Sequence, residues 1–157
     1  MSLNLGSLLS NSTRQFSSET ALIYESDRYS YEQLDSCVRK FAADLKEAGI
    51  ERGDKVAIML PNVPEFTIAY FGILYAGAVV VSLNILLSAD ELSYQLGNSE
   101  AKAFIVHADF SENGLNGFKR CDTCSILYFV EGNDAGEVPS NARSVADVLK
   151  RTDHADL

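Results

Sequence analysis

The chain has 157 residues, of which 46% are hydrophobic, and this composition suits one domain with a core of its own. Its 13 basic and 22 acidic side chains give a net charge of −9 without any basic cluster, which argues against a nucleic-acid partner because phosphates would be repelled. An apolar content this high also argues against disorder over most of the length.

The first 30 residues predict a short helix followed by a hairpin. Leu5, Leu8, Leu9 and Phe16 lie at helical spacing. Residues 21–24 form an apolar run typical of a strand, residues 26–27 suit a turn, and residues 28–30 predict a second short strand.

A long amphipathic helix is expected next. Ser30 and Gln33 have the spacing of a capping box. The stripe that follows consists of apolar residues three and four apart, namely Tyr31, Leu34, Val38, Phe41, Leu45 and Ala48. Gly49 stands where a glycine commonly ends a helix.

Residues 56–83 predict a buried strand, a buried helix and a second buried strand. The run 56–60 is apolar without alternation, which is typical of a strand covered on both faces. Pro61 and Pro64 end it and open a helix to about Ala76, which is apolar on nearly every side. Gly77 closes this helix, and residues 78–83 form the second strand.

The charge-free run from residue 66 to residue 87 is long enough to cross a bilayer. Gly72 and Gly77 interrupt it, Ser82 and Asn84 add polar groups, and three consecutive valines favour a strand. We therefore expect no transmembrane segment, and the N-terminus has no signal-peptide pattern.

The second half continues the alternation of helices and strands. Ser88 and Glu91 suit a capping box, and the helix that they open is expected to stop at Gly97 and Asn98. Residues 103–106 and 126–130 predict strands on either side of a short, glycine-broken helix over residues 111–119. A polar loop over 131–141, a final helix capped by Ser144 and a polar, frayed tail from 151 to 156 complete the chain. Strands that alternate with helices predict an α/β fold with a mostly parallel, doubly wound sheet.

No residue of this chain is predicted to be catalytic, to bind a cofactor or to bind a metal. The crossing after the first buried strand, residues 60–64, has no glycine with which backbone amides could cradle a pyrophosphate. Gly72 and Gly77 have the spacing of a phosphate loop, but Ala78 and Val79 follow where Lys and Ser or Thr are required, so we interpret them as close-packing and capping glycines.

Single polar residues have structural interpretations. His107 follows a strand and could face a crevice, but nothing near it in sequence orients it, so a structural role is favoured. Asp54 and Asp90 suit turns or caps, and Glu65 suits the positive end of a helix. Asn62 is either a helix cap, which we favour, or a polar group at the mouth of a crevice.

The cysteines are Cys37, Cys121 and Cys124, and an odd count without a secretion signal favours reduced thiols in the cytoplasm. Cys121 and Cys124 form a lone Cys-x-x-Cys pair that precedes a strand. A zinc site needs about four ligands. Since only Cys37 and two scattered histidines, His107 and His154, remain as candidates, we interpret the pair as two unlinked loop thiols.

Four motifs in order resemble the early part of the adenylate-forming enzymes, a family that includes the acyl-CoA synthetases. They are residues 29–34 (Tyr-Ser-Tyr-Glu-Gln-Leu), 53–62 (Gly-Asp-Lys-Val-Ala-Ile-Met-Leu-Pro-Asn), 71–84 (Phe-Gly-Ile-Leu-Tyr-Ala-Gly-Ala-Val-Val-Val-Ser-Leu-Asn) and 91–96 (Glu-Leu-Ser-Tyr-Gln-Leu). Ser82 departs from the pattern, since proline is commoner there. The resemblance covers at least residues 21–130.

This resemblance implies a parent enzyme that activates a carboxylic acid with ATP and magnesium as an acyl adenylate and, in most members, transfers the acyl group to coenzyme A. It also implies that residues 1–157 are an N-terminal subdomain, because the family's phosphate loop normally follows a stretch like residues 155–157. The chain would then be an inactive scaffold, with one wall of the acyl cleft at most. Its partners would be the remaining subdomains and the carboxylic acid of the parent.

Two alternatives for the function remain open. Leu-, Phe- and Tyr-rich helices favour a fatty or other apolar acid, but an adenylation domain of a peptide synthetase or a fatty acyl-AMP ligase would share these motifs. From another class, a self-standing flavodoxin-like binding module would have the same α/β pattern. Apolar surface left bare by the missing subdomains predicts self-association.

Overall fold

The computed structural model describes residues 5–132 and 137–152. Its strands are β1 (Thr20–Tyr24), β2 (Asp27–Ser30), β3 (Lys55–Met59), β4 (Val79–Ser82), β5 (Ala101–His107), β6 (Ile126–Val130) and β7 (Ala142–Ser144). Its helices are α1 (Leu5–Phe16), α2 (Tyr31–Glu47), α3 (Pro64–Tyr75), α4 (Ala89–Ser99), α5 (Ser111–Lys119) and α6 (Val145–Lys150), with a 3-10 turn at Ala108–Phe110.

The predicted doubly wound sheet is confirmed. Five parallel strands lie in the order β4-β3-β5-β6-β7, while β1 and β2 form a separate antiparallel hairpin, as expected. Alternate side chains of β3 enter two different cores, with Val56 and Ile58 on one face and Ala57 and Met59 on the other. Helices α1, α2, α3 and α6 cover the first face, and α4 and α5 cover the second.

The caps of the long helix are those that the sequence predicts. The Ser30 hydroxyl accepts a hydrogen bond from the Gln33 backbone at 3.2 Å, and the Gln33 side chain accepts one from the Ser30 backbone at 2.8 Å. Gly49 follows the helix with a left-handed φ of 93°. The capping boxes before α2 and α4 therefore fix where both helices begin.

Two predictions of burial were wrong in part. Strand β4 lies at the edge of the sheet, with Val79 47% exposed, because among the described strands only β3 pairs with it. Helix α3 has one buried side, and aromatic residues such as Phe66 and Tyr70 are only half-buried. The charge-free run thus folds as α3 and β4, and no helix in the described ranges is long and apolar enough to cross a membrane.

Glycines inside two helices act differently from the prediction. Helix α4 passes through Gly97 and ends only at Ser99, and the cap residue Glu100 adopts a left-handed φ of 56°. Helix α5 is unbroken, and its glycines permit close packing against β5 and α4. A Cβ atom on Gly114 would lie 2.6 Å from Val106, and one on Gly117 would lie 2.8 Å from the backbone oxygen of Ala89.

The C-terminal part contains a strand that the sequence does not predict. β7 has three residues and pairs with β6, directly after the expected loop, of which residues 133–136 lie outside the described ranges. Ser144 caps α6 as expected, since its hydroxyl accepts from the Asp147 backbone at 3.1 Å. Arg151, expected in a frayed tail, instead lies 2.8 Å from the Asp44 carboxylate, while residues 153–157 lie outside the described ranges.

Candidate functional site

A crevice lies at the carboxyl ends of β3 and β5. The chain leaves β3 for β4 on one side of it and then returns to β5 on the other, so this point is the topological switch of the sheet. The crevice encloses about 500 Å³. Its lining comes from the hairpin and from the segments after β3, β5 and β6: Tyr24, Asp27, Tyr29, Pro61, Asn62, Val63, Pro64, Glu65, His107, Asp109, Glu131 and Gly132.

His107 is the last residue of β5 and is only 6% exposed. Its Nδ1 atom accepts a hydrogen bond from the Asp109 backbone at 3.2 Å, and a carboxylate oxygen of Asp109 lies 3.5 Å from the same atom. The expectation that nothing near in sequence orients His107 was therefore wrong. Because Nδ1 accepts, the proton of the neutral ring belongs on Nε2.

Carboxylates dominate the electrostatics of the crevice. Asp27, Glu65, Asp109 and Glu131 all line it, and none of the described lining residues is a lysine or an arginine. Burial raises the pKa of the Tyr29 hydroxyl, and the charges of Glu65 and Asp27 raise it further. Such a negative site repels phosphates and carboxylates.

Asn62 does not cap α3, so the favoured interpretation was wrong. Val63 occupies the N-cap position and forms no side-chain cap bond. Asn62 is exposed and lines the crevice, as the other interpretation has it. Glu65 lies in the first turn of α3 as expected and also faces the crevice.

The remaining acidic candidates serve turns and surface ion pairs. Asp54 accepts from the Glu51 backbone and from the Lys102 ammonium, both at 2.8 Å, and these two hydrogen bonds lower the pKa of its carboxyl, the one from Lys102 most. Asp90 lies in the first turn of α4 and pairs with Arg120.

The two glycines of the α3 segment have the structural roles predicted for them. A Cβ atom on Gly72 would lie 2.7 Å from the ring of Phe41. Gly77 adopts a left-handed φ of 82° just after the C-cap residue Ala76. Neither glycine lines the crevice.

The three cysteines are free thiols in the structure, and Cys121 and Cys124 lie in the loop between α5 and β6. Burial raises the pKa of Cys124 to about 12 and also raises that of Cys37, so both thiols stay protonated near neutral pH. Within residues 5–132 and 137–152, no group of three or more His, Cys, Asp or Glu side chains could hold a metal ion. His154 lies outside these ranges.

Sequence reasoning did not predict which residues surround His107. Asp109 and Glu131 follow two strands that the sequence does predict, and the carboxyl ends of parallel strands meet at one edge of the sheet. That rule could have placed both carboxylates beside Asn62. The hairpin residues Asp27 and Tyr29 carry no such signal, because nothing local tells where a hairpin packs.

Comparisons with known proteins show which family the chain matches. A family model described as "AMP-binding enzyme" matches residues 9–156. A long-chain-fatty-acid–CoA ligase of Bacillus subtilis (strain 168) is 37% identical over 101 residues, which are 64% of this chain and 18% of that protein. A protein of the same description from Yersinia pestis is 34% identical over 105 residues, which are 66% of this chain and 19% of that protein. The chain thus spans about a fifth of the length of these curated relatives.

Solved structures have the same fold. A fatty acyl CoA synthetase of Mycobacterium tuberculosis superposes with a TM-score of 0.81 at 26% identity, over 98% of this chain and 29% of that chain. A benzoate CoA ligase from Burkholderia xenovorans LB400 also gives a TM-score of 0.81, at 21% identity, over 98% of this chain and 29% of its own.

Proposed function

Because this chain belongs to the AMP-binding enzyme family, we propose that it is the N-terminal subdomain, residues 1–157, of an acid–thiol ligase. The parent enzyme activates a carboxylic acid with ATP and magnesium as an acyl adenylate and transfers the acyl group to coenzyme A. The family match over residues 9–156 carries this proposal. The superposition on much longer CoA ligases supports the assignment of the chain to one part of such an enzyme.

The proposed substrate is a fatty or other apolar carboxylic acid. Its support is the similarity to proteins described as long-chain-fatty-acid–CoA ligases in Bacillus subtilis and Yersinia pestis. An adenylation domain of a peptide synthetase or a fatty acyl-AMP ligase would share the activation step and differ in the acceptor. The free thiols are compatible with a cytoplasmic location.

The chain itself acts as a scaffold and is inactive alone. Activation of a carboxylate requires amides, cations or a metal around the phosphates. The crevice offers four carboxylates and no described cationic side chain, so its residues do not fit a triphosphate. We therefore assign no catalytic, cofactor-binding or metal-binding residue here, and the phosphates, magnesium and coenzyme A belong to the remaining subdomains.

One surface suits contact with an apolar substrate or with the remaining subdomains. A hollow of about 170 Å³ beside the crevice is bordered by Leu22, Ile23 and Phe66. Ile23 is 59% exposed and, together with the half-buried Leu22 and Phe66, gives this hollow an apolar rim. This hollow is our candidate for one wall of the acyl cleft.

Titration calorimetry with magnesium-ATP tests the scaffold role. The 157-residue chain should show no binding at micromolar concentrations, and the product of the complete gene should release pyrophosphate when a fatty acid is added. Micromolar binding by the chain would refute the scaffold role. A reading frame that ends directly after Leu157 would instead favour the self-standing flavodoxin-like module. Such a module would also have a crevice at the switch point of its sheet.

A further inference from the structure

A carboxylate buried between α2 and the C-terminal elements collects three contacts. Asp44 on α2 is 1% exposed. The Tyr128 hydroxyl of β6 donates to it at 2.7 Å, Arg143 Nη1 of β7 lies 3.2 Å away, and Arg151 Nη1, just after α6, lies 2.8 Å away. Asp44 thus joins α2 to β6, to β7 and to the residue after α6, which lie 84 to 107 residues later in the chain.

Two further side chains of α2 hold the same end of α6. The Lys40 ammonium donates to the backbone oxygen of Leu149 at 2.9 Å, and Glu47 pairs with Arg151 at 3.0 Å. Lys40, Asp44 and Glu47 are four and three residues apart, so they share one face of the helix. We call the set Lys40, Asp44, Glu47 and Arg151 the exit clamp.

The contacts of the exit clamp differ in strength. Glu47 is mostly exposed, so its pair with Arg151 contributes little. Asp44 is buried, and solvent screens a charge pair much less there, so the contact between Asp44 and Arg151 is the stronger of the two. Helix α6 has only six residues and cannot be stable by itself, which means that such contacts decide where it ends.

We propose that the exit clamp is a positioning device that fixes the place and direction in which the chain leaves α6, at Arg151 and Thr152. Asp44 is its central residue, because it is the buried side chain with which Arg151 pairs. The functional meaning rests on the proposed ligase, in which the chain continues beyond this point. There the clamp sets where the next segment begins relative to the sheet.

A single tryptophan tests the clamp, because the chain contains none. We would introduce Thr152→Trp and measure time-resolved fluorescence anisotropy in this background and with Arg151→Gln, Asp44→Asn or Lys150→Gln added. Lys150→Gln is the matched control, since it removes the same charge one residue away. Its ion pair with Asp147 joins two side chains that are 76% and 77% exposed.

The reporter and the control variant should show slow tumbling with the whole chain. Arg151→Gln and Asp44→Asn should each remove at least about half of the amplitude of that slow component, as expected when a restrained segment becomes mobile on the nanosecond timescale. In the Asp44→Asn background, Arg151→Gln should cause no additional loss, because both changes break the same contact.

Unchanged anisotropy in Arg151→Gln, or an equal loss in Lys150→Gln, would refute the clamp. Circular dichroism checks that each variant is folded. If Asp44→Asn unfolds, Arg151→Gln still decides, since it leaves Tyr128 and Arg143 on the Asp44 carboxylate. The measurement uses the 157-residue chain and no ligase activity, so failure of the proposed function would leave its result standing.

Discussion

Replacing Gly72 with alanine should destabilise the chain, although alanine is the better helix former by about 1 kcal/mol. The new Cβ atom would lie 2.7 Å from Cδ1 and 3.3 Å from Cβ of Phe41. Phe41 is fully buried, and its ring packs against Tyr128 with centroids 5.2 Å apart. Because Cβ of Phe41 is itself in the way, rotation of the ring cannot relieve the clash.

Overpacking of a core costs about 1–3 kcal/mol, and the blocked rotation places this case in the upper part of that range. After subtraction of the helix-propensity gain, the free energy of unfolding should fall by about 1–2 kcal/mol. The matched control is Gly97→Ala. Gly97 also lies inside a helix, but no atom of the described residues would lie within 4 Å of a Cβ atom there, so the gain of about 0.5–1 kcal/mol should remain.

Equilibrium unfolding in urea, followed by circular dichroism, measures both variants. The midpoints should move in opposite directions at an unchanged m-value. A Gly72→Ala variant as stable as the parent, or a destabilised Gly97→Ala variant, would refute the packing argument.

Three further outcomes are expected. Tyr128→Phe removes the hydroxyl that donates to Asp44 and should lower the free energy of unfolding by about 1.5–3 kcal/mol in urea titrations; a negligible change would contradict the network. Burial raises the pKa of Cys124 from 9.0 to about 12, so the unfolded chain loses this proton at a lower pH than the folded chain. Stability should therefore be complete below about pH 9 and decline towards about pH 12, less steeply in Cys124→Ala, and equal slopes in the two proteins would count against this. The open edge of β4 should promote self-association, which light scattering at high concentration would detect and Val79→Lys should reduce; a monomeric parent chain would exclude it.

The sequence by itself determines the local structure of this protein. Both capping boxes, the apolar stripe of α2 and the glycines that end α2 and α3 act over three to five residues, so they can be found in any window that contains them. The apolar runs of β3, β5 and β6 predict strands, and their alternation with helices predicts the parallel sheet.

Only the tertiary structure decided which of these elements have neighbours. β4 has the composition of a buried strand but lies at an edge, because strand order depends on pairing between distant segments. Gly97 is a residue type that commonly ends a helix, but α4 continues to Ser99. His107 gains its surroundings only when the sheet brings the segments after β3 and β6 beside it.

Arg151 is another case in which a long-range contact decides the structure. The polar sequence around it predicts a frayed tail. Its partner Asp44 lies 107 positions earlier, and no local pattern connects the two. Helix caps and apolar periodicity depend on interactions between residues close in sequence. Burial, strand pairing and buried ion pairs depend on interactions between residues that only folding brings together. In this chain, local interactions determine the helices and most strands, and long-range interactions determine the crevice and the point at which the chain leaves α6.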